Sequence, residues 1–226
     1  MILKRYTAAF VALLMTVGAT AQTPQEWRDS LRTLNELIKQ YPSSSDLRLR
    51  KAAVNIELGQ WEYAAEEYSR VLEKDAKNLA ALYYRAYVNN HLRHYDLAKY
   101  DYEQFLSVMP KHFEASVGLA MVKKRMGRKA EALDEMNHIV QLFPDSTLAY
   151  VLRAGFEAEI GQVEPALFDW DEAIRREPRN ADFVASKLEV LISQKRYDEA
   201  RDEMKRAFRR GIPRAALKEW MDKCPL

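Results

Sequence analysis

The sequence predicts an all-α protein, a solenoid of stacked helix pairs behind a separate N-terminal leader. Three observations predict it. A short charged-then-apolar segment opens the chain. The same residue types then recur every 34 residues, and helix terminators fall at fixed points within each step. Composition agrees: Ala, Leu, Glu, Lys and Arg dominate, while only 7 Gly and 8 Pro occur, mostly where helices would end.

The leader comes first. Lys4 and Arg5 precede an apolar run from Thr7 to Gly18, and Ala19-Thr20-Ala21 follows. A positive start, an apolar middle and an A-x-A site predict a secretory signal peptide over 1–21, cleaved after Ala21. The run is short for a transmembrane helix, and no Cys beside the cleavage point offers a lipoprotein acylation site. A periplasmic or secreted protein without an integral membrane span is therefore expected. Lys4 and Arg5 are the leader's only charges, so the mature chain keeps 33 basic residues of 35 against 33 acidic ones. A net charge of zero gives no global attraction to nucleic acid or anionic membrane. The single Cys224 permits no internal disulfide, so packing must hold the fold.

The repeat follows. Ala64, Ala98, Ala132, Ala166 and Ala200 stand 34 residues apart, with Ala52, Ala86, Ala120 and Ala154 twelve residues upstream of the first four and Leu188 in the fifth place. Tyr68, Tyr102, Met136, Trp170 and Met204 lie four residues downstream. Small Ala side chains let two helices approach, and a large residue one turn later fills the space beside them. Gly59, Gly127 and Gly161 mark the turn within the repeat, where Arg93 and Lys195 substitute. Pro110, Pro144 and Pro178 close three repeats, because Pro cannot continue a helix. Each unit buries its apolar side only against its neighbours.

This pattern resembles the tetratricopeptide repeat (TPR) family, in stretches such as LGQWEYAAEEYSRVLEKDAKN and IGQVEPALFDWDEAIRREPRN. The resemblance implies a right-handed superhelical solenoid of five helix pairs, at 45–78, 79–112, 113–146, 147–180 and 181–214. A flanking helix at 22–44 precedes them and a capping helix at 215–226, with Leu217, Trp220 and Met221 on one face, closes them. Lys129 and Leu188 depart from the family pattern.

Two further columns carry charge. Glu67, Asp101, Glu135, Asp169 and Glu203 form an acidic column. Sixteen residues upstream stand Lys51, Arg85, Leu119, Arg153 and Lys187. Ion pairs are expected in the four repeats that carry both charges, close for Arg85 with Asp101 and Arg153 with Asp169 and looser for Lys51 with Glu67 and Lys187 with Glu203, since the planar guanidinium matches a carboxylate. As partly exposed pairs they would contribute about 0–1 kcal/mol each and set register.

The resemblance further implies that the first helices line a concave groove. Helical spacing then places Tyr83, Tyr84, Tyr87, Asn90 and His91 there, beside Met121, Lys124 and Arg125, with Leu49, Arg50, Ala53 and Glu57 before them and Val151, Leu152 and Gly155 after. Aromatic and Met side chains offer contact area at low entropic cost, and the cations offer donors to an acidic or carbonyl group. Leu49, Ala53 and Tyr84 stand where the family's carboxylate clamp needs polar donors, which argues against a chaperone-tail ligand. Gly118 and Gly155 lie inside first helices, where close helix packing or a ligand backbone would account for them. His91 and His94 lack a converging carboxylate, so no metal is expected, nor any cofactor. The basic run Arg201, Lys205, Arg206, Arg209, Arg210 and Arg214 reads as a solvated face or a site for an acidic partner. The expected function is an exported protein- or peptide-binding scaffold without catalysis. The alternative is a homo-oligomeric envelope component.

Overall fold

The computed structural model describes residues 23–224, so the leader predicted for 1–21 lies outside the described residues. Those residues form twelve α-helices, with no β-strand among them. Helix α1 (Pro24–Gln40) precedes α2 (Ser45–Glu57), α3 (Trp61–Leu72), α4 (Leu79–His91) and α5 (Tyr95–Val108). Then come α6 (Phe113–Arg125), α7 (Lys129–Leu142), α8 (Thr147–Glu159), α9 (Val163–Arg176), α10 (Ala181–Ser193) and α11 (Tyr197–Arg209). A 3-10 turn (Arg214–Leu217) leads into α12 (Lys218–Lys223), a shorter capping helix than the sequence predicts. Two compact units divide the chain, one up to Leu92 and one from Arg93. Within the first, each of α1–α4 packs on the next; within the second, α5–α11 do the same.

Helix starts follow the repeat. Ser44, Asn78, His112, Ser146 and Asn180 stand 34 residues apart, and each caps a first helix by accepting a backbone N–H with its side chain. No second helix has such a cap: each begins directly out of a tight turn. That turn needs a left-handed residue. Gly59, Gly127 and Gly161 supply it with φ of 70°, 78° and 82°. Arg93 and Lys195 adopt the same conformation at φ 64° and 58°, so the two substitutions in the glycine column preserve the turn at the expense of backbone strain. The turn closes with paired hydrogen bonds back into the helix, as from Gly59 N–H to the Ile56 carbonyl and Gln60 N–H to the Asn55 carbonyl.

The two apolar columns make the core. Ala64, Ala98, Ala132, Ala166 and Ala200 are all fully buried, and the large residues one turn on, from Tyr68 to Met204, are buried. In the second unit, Trp170, Phe183, Leu188 and Leu217 join one cluster against which Trp220 and Met221 pack. Apolar anchoring of this kind ties down the end of a repeat array.

Candidate functional site

The acidic column recurs through the repeats as a largely buried polar feature. Glu67, Asp101, Asp169 and Glu203 are buried, and Glu135 is half-buried. Arg153 grips Asp169 with two bonds, Nε to Oδ2 at 2.6 Å and Nη2 to Oδ1 at 2.8 Å. Lys187 Nζ meets Glu203 Oε2 at 3.2 Å. Lys51 Nζ meets Glu67 Oε1 at 2.8 Å, so this lysine pair is as close as an arginine pair, a correction to the expected looseness. Arg85 belongs to the first unit and Asp101 to the second; within its own unit Arg85 donates Nη1 to Ser69 Oγ at 3.0 Å.

Burial is the larger correction. Acids expected on half-open faces lie inside, because the cation's helix and the acid's helix close over them. A buried carboxylate that loses its cation costs about 3–5 kcal/mol, well beyond the worth of an exposed pair.

Sequence reasoning missed part of this network. Three of the four column cations also reach a polar group sixteen residues before them. Arg153 Nη1 donates to Asn137 Oδ1 at 3.0 Å, Lys187 pairs with Asp171, and Arg85 bonds Ser69 as above. In the third repeat, where Leu119 breaks the column, the sequence reading assigns Glu135 no cation. Lys123 supplies the cation from one helical turn later, with Nζ 2.7 Å from Glu135 Oε1. Arg48 adds a second cation to Glu67, at 2.9 Å. The signal was present as a backward step of sixteen and an i+4 shift.

These environments move the acids' protonation. Burial raises the Glu203 pKa, but hydrogen bonds from Arg210 and Arg206 outweigh it and hold the carboxyl down at about 2. Burial likewise opposes ionisation of Glu67, and bonds from Lys51 and Arg48 prevail to lower its pKa. Stability from both acids is present above their usual range and drains as pH falls below it.

Glu157 behaves in the opposite sense. It is buried, its Oε2 has no hydrogen-bond partner among the described residues, and Arg153 Nε lies 3.7 Å from Oε1. Burial, and then the neighbouring Asp169 charge, push its pKa up to about 7. The neutral form therefore stabilises the fold fully below the ordinary glutamate range, and that contribution drains as pH rises toward and through 7. Glu157→Gln, which mimics the neutral form, is expected to raise the melting temperature at about pH 8 and leave it nearly unchanged at about pH 5. An equal shift at both values would contradict the assignment.

The predicted groove residues divide between the two units. In the first, on α4, Tyr84 stacks on Tyr68 with ring centroids 6.0 Å apart, and Tyr83 meets Tyr84 edge-on at 5.1 Å. His91 stacks on Trp61 at 3.7 Å, and Tyr87 tilts against the same indole at 6.0 Å. Much of this aromatic group thus joins α4 to α3, and burial raises the pKa of Tyr84 and of Tyr87. Tyr83 and Asn90 are half-buried and His91 is exposed. In the second unit, on α6, Lys124 pairs with Glu159 and lies over the Phe156 ring at 5.4 Å. Met121 is half-buried and Arg125 exposed. Val151 and Leu152 are buried in core clusters rather than presented on a groove. Gly118 faces the Tyr102 ring, so its missing side chain serves helix packing.

Other chemistry-bearing groups have local roles. His112 Nδ1 accepts the Ala115 N–H as a helix cap. Cys224 is buried, and its Sγ lies 3.5 Å from the Tyr197 carbonyl oxygen. Among the described residues, no cluster of three or more His, Cys, Asp or Glu is placed to hold a metal ion. Among them, too, no helix is long and apolar enough to cross a membrane.

Comparison with known proteins matches two family profiles, both described as tetratricopeptide repeat, over residues 25–78 and 158–215 and over 114–146. Among curated proteins, a DnaJ homolog subfamily C member 7 homolog from Dictyostelium discoideum is 21% identical over 76% of this chain and 35% of its own length. Small glutamine-rich tetratricopeptide repeat-containing protein 2 from Saccharomyces cerevisiae is 26% identical over 63% of this chain and 40% of its own. The chain thus spans about two-fifths or less of the curated relatives it matches. Among solved structures, a tetratricopeptide repeat protein from Parabacteroides merdae superposes with a TM-score of 0.61 at 21% identity, covering 88% of this chain and 78% of that one. YrrB, described as a TPR protein with an unusual peptide-binding site, gives 0.62 at 17% identity, covering 85% and 99%. At these identities the likeness is one of fold.

Proposed function

The chain belongs to the tetratricopeptide repeat family, and from that premise we propose that it is an exported, non-catalytic scaffold that binds a protein or peptide partner through its first helices. One observation carries the reading. The first helices keep aromatic, thioether and cationic groups at least partly accessible, with Tyr83 and His91 on α4 and Met121 and Arg125 on α6, while most of the acidic column is buried in internal pairs. Such groups suit a segment with apolar side chains and some negative charge. The peptide-binding site attributed to YrrB supports the idea that this fold accommodates a peptide.

The test begins with affinity capture by the mature chain from its native envelope fraction. Tyr83→Ala in the first unit and Arg125→Glu in the second are each expected to weaken the captured partner about tenfold, equal to about 1.4 kcal/mol. Arg209→Glu on α11 is expected to leave affinity unchanged. Abolition by Arg209→Glu alone would place the site elsewhere. Export is tested by mass: a purified envelope form beginning at Gln22 supports the leader, and one retaining Met1 contradicts it.

A further inference from the structure

A crevice in the second unit lies between α9 and α11, with α10 contributing to it. One cavity of about 400 Å³ is lined by Arg175, Lys187, Arg206 and Arg210 together with Asp171 and Glu203. A second, of about 290 Å³, shares Asp171, Lys187 and Arg206 and adds Leu167, Phe168 and Leu191. The shared residues make the two cavities one elongated space, with Arg175 and Arg210 toward one end and Leu167, Phe168 and Leu191 standing among Glu164, Arg196 and Glu199 toward the other.

Its charge is unbalanced. Glu203 receives Lys187 at 3.2 Å and Arg206 and Arg210 each at 2.7 Å, while Asp171 pairs with Lys187. Glu172, shared by Arg175 and Arg176, lies alongside. Around the first cavity the four cations Arg175, Lys187, Arg206 and Arg210 thus meet the three acids Asp171, Glu172 and Glu203. Arg206 uses Nε and Nη2 on Glu203; Arg210 uses Nη2 on Glu203 and Nε on the Pro178 carbonyl. Each guanidinium retains Nη1 for a further acceptor. At the opposite end Phe168 stands 62% exposed, an aromatic ring that the fold itself does not cover. There Arg196 is already held by Glu164 and Glu199, so the surplus positive charge sits at the Arg206–Arg210 end.

We infer that this crevice is a second docking site, which takes an acidic segment of a partner protein. Carboxylate side chains of the segment bind Arg206 and Arg210, and an apolar side chain packs on Phe168 and Leu167. Charge complementarity selects the occupant, because a surplus of guanidinium donors in a partly desolvated crevice favours carboxylates. The length of the space and the exposed Phe168 ring favour an extended segment over a compact anion. This site is separate from the first-helix faces and does not depend on them.

The experiment measures fluorescence anisotropy of a short labelled peptide of alternating glutamate and leucine with the mature protein, against a glutamine-for-glutamate control. Arg175→Glu is expected to weaken binding at least about tenfold, and Asp171→Asn to tighten it severalfold. Both positions lie at the rim and leave the buried Glu203 its cations, so folding is preserved; circular dichroism verifies that. Tyr83→Ala is expected to change nothing, which separates this site from the first-helix reading. Equal binding of the control peptide would overturn the proposal. So would displacement of the probe by inorganic phosphate at matching concentration, or unchanged affinity in both rim variants.

Discussion

Arg153→Met is expected to destabilise the protein by about 3–5 kcal/mol, the largest effect of any single change considered. Among the described residues the guanidinium is the only cation paired with Asp169, which is 1% exposed, and it also lies beside buried Glu157. Methionine fills much of the same volume, so the loss reports charge rather than a cavity. Urea unfolding of the mature protein at about pH 7 measures it, and adding Asp169→Leu to the variant is expected to restore much of the loss, since an apolar pair replaces a stranded buried acid. A loss below about 1 kcal/mol would place Asp169 with ordinary surface pairs.

Gly118→Ala is expected to lower stability by about 1–3 kcal/mol, although alanine is the better helix former by about 1 kcal/mol. A methyl group at Gly118 would lie 2.5 Å from Tyr102 Cζ, and Tyr102 is only 3% exposed. The ring therefore has little room to retreat. In a Tyr102→Ala background the same substitution is expected to turn neutral or stabilising, as propensity reasserts itself. Equilibrium unfolding of the four proteins of that cycle decides between the two forces. Stabilisation by Gly118→Ala alone would show that the ring yields freely.

The helix pairs were legible because a repeat writes its period into every column at once. Ala64 and its partners, the capping residues at Ser44 and Asn78, and the turn at Gly59 all mark the same step. Depth was not legible. Periodicity identifies which side chains share a face, yet whether a second helix covers that face depends on crossing geometry. Arg153 and Asp169 were therefore paired correctly and judged too exposed, while Val151 and Leu152 were placed on a groove though they are core. Tyr84 shows the same limit, for its stacking on Tyr68 joins residues sixteen apart whose ring orientations no pattern specifies. Lys123 escaped because it occupies a different register from the other cations and yet reaches the same acid column.

The backward reach of the cations has a thermodynamic consequence. Arg153 and Lys187 each fasten the second helix of one repeat to both helices of the next. In a linear array, such fasteners enlarge the nearest-neighbour coupling relative to the intrinsic stability of each unit, so adjacent repeats melt together. The charged fastener is missing at Leu119. Glu103, sixteen residues before it, bonds Lys99 on its own helix at 3.1 Å, and the apolar contact of Tyr102 with Gly118 takes the fastener's place. Within the second unit, a seam therefore lies between α5 and α6: α5 is expected to open separately from α6–α11, which open as one cooperative block. Amide hydrogen exchange faster in α5 than in α6–α11 is the signature of that seam, and uniform exchange across it would mean that packing alone couples the repeats as tightly as charge does.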